Sequence, residues 1–158
     1  LDYKVLLDEV GWQILAALQE NARLSFAELG RLVGLSPPAV AERVHRLEEA
    51  GVITGYRAQV SPEGVGLPIM AFIQLQTSSD RYPDLKALVQ GLPNVVECHH
   101  IAGTDAFMLK VVAESVLHLE EVIDRFGGYG KTTTSIVLSS PLLGREPGRE
   151  ALANQSPQ

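Results

Sequence analysis

Between Ser25 and Glu49 the chain reads SFAELGRLVGLSPPAVAERVHRLEE, two short amphipathic segments broken by one glycine, and this stretch constrains the fold most tightly. Ser25 followed by Glu28 spells a capping box: the serine hydroxyl accepts from an early backbone N–H and the glutamate reaches back. Phe26, Leu29, Leu32 and Val33 recur at helical spacing, so one face of this helix is expected to be apolar. Gly34 breaks the helix and Leu35 plugs the bend. Ser36 is expected to N-cap a second helix, with Pro37 at the first helical position, where a missing N–H costs nothing. Val40, Val44 and Leu47 form its inward stripe. Its outward face carries Pro38, Glu42, His45, Arg46 and Glu49, with Ala39 and Ala41 beside them and Arg43 on the flank. Small residues first and polar ones further along suit a helix that enters a major groove, as in a helix-turn-helix. An ordinary helical hairpin is the alternative reading.

A preceding helix is expected from about Asp8 to Glu20, with Leu7, Gly11, Ile14, Leu15 and Leu18 on the side that packs against the other two. Gly51 ends the third helix at a position wanting a left-handed residue. Val52 to Val60 reads as a short extended wing or linker with a bend at Gly55. The run SPEGVGLP at 61–68 is the clearest break in the chain and is taken as the domain boundary. Beyond it the pattern becomes mixed. Strands are expected at 69–77, 94–102, 107–113 and 131–138. Helices are expected at 83–92, carrying Leu85, Leu88 and Val89, and at 116–126, with Val116, Leu119, Val122, Ile123 and Phe126 buried. The order βαββαβ is that of a ferredoxin-like sandwich. The expected class is therefore α+β: a three-helix, winged helix-turn-helix domain over residues 1–60 and a ferredoxin-like domain over 61–140. Residues 141–158, rich in glycine, proline and polar groups, are expected to form a mobile tail. With both helices on one sheet face, the other is left bare and partly apolar, which implies a homodimer.

The apolar and charged fractions, 46% and 20%, are those of a globular chain, and no apolar run is long enough to span a bilayer. No basic-then-apolar segment opens the sequence, which argues against export. The single cysteine, Cys98, excludes an intramolecular disulfide and fits a reducing cytoplasm. The net charge of −6 bears on the partner. Residues 1–60 hold six basic and eight acidic groups. DNA affinity rests mainly on phosphate contacts, so an acidic chain needs several copies acting together. The charge argues against DNA binding by a monomer, not by an oligomer.

These two halves in one short chain resemble the Lrp/AsnC transcriptional regulators, also called feast/famine regulatory proteins. The likeness is carried by Arg23-Leu24-Ser25, Leu35-Ser36-Pro37, the run RVHRLEEAGVI at 43–53 and Gly55-Tyr56. In the second half it is carried by Leu92-Pro93-Asn94-Val95, Ile101-Ala102-Gly103-Thr104-Asp105 and TTTSIVL at 132–138. It spans roughly residues 7–140. The resemblance implies a cytoplasmic regulator that dimerises through its ferredoxin-like domain and assembles further, often to octamers. It also implies that an amino-acid effector binds in clefts between dimers. Two positions depart from the family pattern. Gly11 stands where many members have Asp. Ala106 stands where many have Asp in the central loop, the nearest acid here being Asp105.

Arg43 and Arg46 are the cations best placed to meet phosphates or guanine edges; alternatively they pair with Glu42, Glu48 or Glu49 along a solvated helix face. Ser36 caps its helix, whose first amides could also hold a phosphate. DNA contacts are thus expected from Ser36, Pro38, Ala39, Glu42, Arg43, His45 and Arg46. Cys98-His99-His100 looks like a metal cluster, but on a strand Cys98 and His100 face one way and His99 the other, too few ligands for tetrahedral zinc. No metal or cofactor is expected. A His100–Asp105 acid–base pair lacks any nucleophile or oxyanion site beside it, so an enzyme is not expected. Gly103, Thr104 and Asp105 form a turn, and Thr132, Thr133, Thr134 and Ser135 are ordinary strand residues that also offer four hydroxyls. Hydroxyls and turn amides suit an amino-acid carboxylate and ammonium, with Asp105 as countercharge and His100 nearby. Those eight residues are the expected effector site. An architectural, nucleoid-type DNA-binding protein without an effector is the alternative function.

Overall fold

The computed structural model describes residues 3–102 and 106–152, with side chains from Val5 onward. The chain divides into two compact units, one formed by residues 1–58 with 142–158 and the other by 59–141.

The first unit is helical. A short helix α1 (Tyr3–Leu6) precedes α2 (Glu9–Glu20), α3 (Phe26–Val33) and α4 (Pro37–Glu49). Asp8 N-caps α2, its carboxylate accepting from the Gly11 amide at 2.8 Å. At α3 the capping box forms as expected: Ser25 Oγ accepts from Glu28 N–H, and Glu28 Oε2 accepts from Ser25 N–H at 2.8 Å. Leu24 before the cap and Leu29 within the helix join the same apolar cluster, a hydrophobic staple. Gly34 ends α3 in the left-handed region at φ 71°, a conformation that costs a residue with a Cβ 1–2 kcal/mol. Ile14, Leu15, Leu29, Val40, Val44 and Leu47 make the buried centre of the unit.

Two backbone approaches fix the packing. A Cβ on Gly11 would lie 2.0 Å from the Leu6 carbonyl oxygen, and one on Gly30 would lie 2.5 Å from that of Leu35. Leu32, expected in the core, is 63% exposed. At about 100° per residue it falls on the flank of α3 away from Gly30 and Val33, on which the helix packs. Residues 54–60 form no strand, so the connection after α4 is an extended linker without a paired wing. Residues 142–152, read from composition as a mobile tail, group instead with the headpiece. Gln19 Nε2 donates to the Pro147 carbonyl at 3.1 Å, and Arg149 ion-pairs with Glu9 on α2.

The second unit is a four-stranded antiparallel sheet in the order β2-β3-β1-β4. Its elements are β1 (Ile69–Gln76), α5 (Tyr82–Gly91), β2 (Val95–Ile101), β3 (Ala106–Ala113), α6 (Val116–Asp124) and β4 (Lys131–Ile136). This is the expected βαββαβ order. Side chains alternate across the sheet. Ala71, Ile73 and Leu75 of β1 with Leu109 and Val111 of β3 face the helices and are buried with Leu85 of α5, Leu119 and Val122 of α6, and Phe126 just beyond α6. Val116, expected on the buried side of α6, is exposed, because it stands in the first turn beyond the reach of the sheet. On the opposite sheet face lie Met70, Phe72, Met108 and Val112 with Lys110, and among the described residues neither α5 nor α6 packs on that face. Phe72 there is 39% exposed. No helix among the described residues is long and apolar enough to cross a membrane.

Candidate DNA-binding face and effector region

α4 presents a sharp division. Val40, Val44 and Leu47 are buried, while Ser36, Pro38, Ala39, Glu42, His45 and Arg46 are exposed along the opposite side. The helix starts at two prolines, which has a consequence for its N-terminus. Ser36 sits in the extended cap conformation, φ −69° and ψ 150°, yet its side chain makes no cap bond. A cap hydroxyl accepts from the second or third helical amide. Pro38 at the second position has no N–H, and neither does Pro37 before it, which leaves the Ala39 amide as the cap donor, and Ser36 makes no bond to it. The same loss weakens the expected phosphate site, since anion binding at a helix N-terminus depends on those free amides.

Of the two arginines, only Arg46 keeps the outward role. Its Nε lies 3.2 Å from Glu42 Oε1, the i,i+4 pairing along a solvated face, and both side chains stay more than half exposed. Arg43 is engaged elsewhere. Its guanidinium makes two parallel hydrogen bonds to Asp8, Nη1 to Oδ1 at 2.8 Å and Nη2 to Oδ2 at 2.9 Å. The partner is none of the glutamates on its own helix but the cap of α2, to which the bidentate fork ties α4. The Arg43 hydrogen bonds and then the Gly11 amide hold the Asp8 carboxyl below its ordinary pKa. Arg43 is thus a structural clasp in this conformation and not a free cation.

His45 is positioned by residues outside the expected set. Its Nδ1 lies 3.2 Å from Glu48 Oε2, and the Phe26 ring meets it edge-on at 6.2 Å. Glu48 Oε1 in turn accepts from the Tyr56 hydroxyl at 2.9 Å. Burial, and then the hydrogen bond and charge of Glu48, push the Tyr56 phenol up to about 12. Beside these groups Leu18, Leu24, Phe26 and Val44 line a shallow hollow of about 210 Å³. Tyr56 had appeared in the sequence only as part of a family motif.

In the second unit, His100 lies next to the last residue of β2 on the helix-covered side of the sheet. It stacks on Phe107 at 4.7 Å with an interplanar angle of 17°, and the Tyr82 ring packs edge-on against both. The Tyr82 hydroxyl lies 3.2 Å from His100 Nε2. Tyr82 and Phe107 were not singled out from sequence, although an aromatic at the start of α5 and another one strand over from a histidine could have suggested them. Gly103, Thr104 and Asp105, the core of the expected effector site, lie outside the described residues.

The four hydroxyls of β4 do not form one strip. Thr132 and Thr134 pair with Leu75 and Ile73 and so share the helix-covered face, half-buried. Thr133 and Ser135 are exposed on the other face, as the two-residue period of a strand requires. His100, Phe107, Leu75 and Thr132 fall in one cross-strand row. Three strand spacings separate its ends, roughly 14 Å. Within one chain, then, His100 and the threonines stand at opposite edges of the sheet. Among the described residues no group of three or more His, Cys, Asp or Glu is brought together for a metal. Cys98 is half-buried on the helix side, where burial raises its thiol pKa. His99 points to the bare face beside Glu97, 3.5 Å away, and Lys110 donates to the same Glu97 at 2.8 Å.

Comparison with known proteins agrees with this two-part arrangement. Residues 7–48 match the AsnC-type helix-turn-helix domain, and residues 70–147 match the Lrp/AsnC ligand binding domain. YezC, an uncharacterized HTH-type transcriptional regulator of Bacillus subtilis, is 46% identical over 134 residues, covering 85% of this chain and 95% of its own. The structure of LrpC from the same organism is similar with a TM-score of 0.81 at 37% identity, over 85% of this chain and 96% of that one. The transcriptional regulator NMB0573 of Neisseria meningitidis, solved as a complex with L-Met, gives a TM-score of 0.85 at 30% identity over 92% of this chain and 99% of its own. The chain belongs to the Lrp/AsnC family of DNA-binding transcriptional regulators, which are not enzymes.

Proposed function

We propose that this protein is a sequence-specific transcriptional regulator that reads the major groove with the outward face of α4, acts as a homo-oligomer, and responds to an amino acid. The observation that carries the reading is the division of α4 into a buried apolar stripe and an exposed face of small then polar residues. Ser36, Pro38 and Ala39 let the helix approach, while Glu42, His45 and Arg46 supply the groups that meet bases or phosphates. Arg43 contributes only if it leaves Asp8. With Arg43 clasped and Arg46 facing Glu42, little unopposed positive charge remains on α4 for sequence-indifferent phosphate binding. That favours a specific regulator over an architectural protein. Two or more copies are required for affinity from an acidic chain, and the uncovered sheet face around Phe72 supplies the homodimer contact. Assembly of such dimers into an octamer, and work in the reducing cytoplasm, complete the reading.

For the effector, the ligand-binding-domain match and the L-Met complex of a structural neighbour support an amino acid. We assign its cleft to the aromatic group Tyr82, His100 and Phe107 and to the 103–105 segment of one chain. Thr132 and Thr134 are contributed by a second copy, because one chain holds them a sheet-width away. A cleft walled by two copies links ligand binding to assembly. The test is selection of duplexes from a randomised pool, followed by affinity measurements on the selected and a scrambled duplex with and without each of the twenty amino acids. Strong preference for the selected duplex that one or more amino acids shift is expected. Equal affinity for both duplexes would leave the architectural reading in its place.

A further inference from the structure

Glu48 divides its two carboxylate oxygens between Tyr56 and His45. Oε1 accepts from the Tyr56 hydroxyl at 2.9 Å, and Oε2 lies 3.2 Å from His45 Nδ1. Tyr56 belongs to the extended segment that follows α4, and the chain passes into the second unit at Gln59, three residues further on. Its ring lines one hollow with Leu18, Leu24, Phe26 and Val44, and its hydroxyl reaches Glu48 from that wall. His45 is held from the other side by the edge contact with Phe26, yet its own side chain remains 62% exposed. An ionised carboxylate only accepts hydrogen bonds. The Nδ1 that faces Glu48 therefore carries its proton, and in the neutral ring Nε2 is left as an acceptor. In a major groove an acceptor at that place matches the exocyclic amino group of cytosine or adenine and opposes the carbonyls of guanine and thymine.

We propose that Tyr56 is a positioning residue for DNA recognition: by holding Glu48 it fixes the rotamer and tautomer of His45, so that the linker between the two units sets what one reading position of α4 prefers. This rests on the assignment of His45 as a DNA contact. It goes further by naming the device that sets its preference and by placing that device on the covalent path from the effector domain.

The test uses the full chain and duplexes that the wild-type protein selects from a randomised pool, with single-base variants of them. Tyr56→Phe removes the hydroxyl and keeps the ring in the wall of the hollow, and Glu48→Gln replaces a pure acceptor with an amide that can also donate. Each should lower the preference for the selected base at one position about three- to tenfold, the scale of one directed hydrogen bond. Neither should lower it further once His45→Ala is present. Urea unfolding followed by Trp12 fluorescence separates this from a loss of headpiece stability. If His45→Ala lowers the preference but Tyr56→Phe does not, or costs the same in both backgrounds, the positioning role is overturned. If His45→Ala itself leaves every position unchanged, the contact assignment fails and the inference with it.

Discussion

Replacing Asp8 or Arg43 tests whether the recognition helix is clasped to α2. Asp8 has two duties: it caps α2 through the Gly11 amide, and it receives both hydrogen bonds of the Arg43 fork. Loss of an N-cap carboxylate costs about 1 kcal/mol. The ion pair is partly solvated, with the two side chains 35% and 44% exposed, so it contributes about 0.5–1 kcal/mol. Asp8→Ala should therefore destabilise the headpiece by about 1.5–2 kcal/mol and Arg43→Ala by about 0.5–1 kcal/mol. The double variant should cost little more than Asp8→Ala alone, a coupling of about 0.5–1 kcal/mol. Trp12, the only tryptophan, packs against the headpiece core and donates its amide to the Asp8 carbonyl, so its fluorescence in urea reports this unit selectively. With a slope of about 1–2 kcal/mol per molar urea, Asp8→Ala should move the midpoint by about 1 M. The pH dependence has a fixed sign. A carboxyl whose folded pKa is lowered contributes stability above its unfolded value of about 3.9 and loses it as pH falls through the folded value. The gap between wild type and Asp8→Asn should thus close on acidification below about pH 4. Strict additivity of Asp8→Ala and Arg43→Ala would refute the clasp and return Arg43 to the DNA-facing set.

Arg46→Ala should weaken binding to the selected duplex several-fold while leaving the assembly state unchanged in sedimentation velocity, since its side chain stands away from the core stripe. Phe72→Glu on the uncovered sheet face should shift the protein toward monomer in the same experiment; unchanged assembly would place the dimer contact elsewhere. Gly130→Ala should destabilise the second unit by about 2–3 kcal/mol, because a Cβ there would lie 1.9 Å from the Gln76 carbonyl, and hydrogen exchange of β1 amides reads the loss. His100→Ala should lower the affinity for an effector amino acid in calorimetry about tenfold, with a fold unchanged by circular dichroism.

Local chemistry was the part of this molecule most readable from the chain. The Ser25–Glu28 box, the Gly34 break and the α4 stripe each depend on residues within a few positions, and each forms as the spacing requires. The failures have two sources. Some follow from local sequence alone. Two prolines after Ser36 remove two of the first-turn amides of α4, and the strand period divides Thr132–Ser135 between two faces. Leu32 and Val116 show the limit of periodicity, which marks an apolar stripe but not where along it the partner surface ends. The others need tertiary structure. Asp8 and Arg43 are 35 residues apart, and Tyr82, His100 and Phe107 come from three elements that only the folded sheet brings together. In both cases the sequence shows a charged or aromatic residue but not its partner, and the partner decides whether the group is free to act.

Fluorescence anisotropy of a selected, labelled duplex titrated with the full chain tests most directly whether α4 reads DNA in a way an amino acid can alter. A steep, salt-sensitive isotherm is expected for wild type, a weaker one for Arg46→Ala, and a midpoint displaced by at least one amino acid in the wild-type protein. An isotherm that neither Arg46→Ala nor any of the twenty amino acids moves would contradict that role of α4.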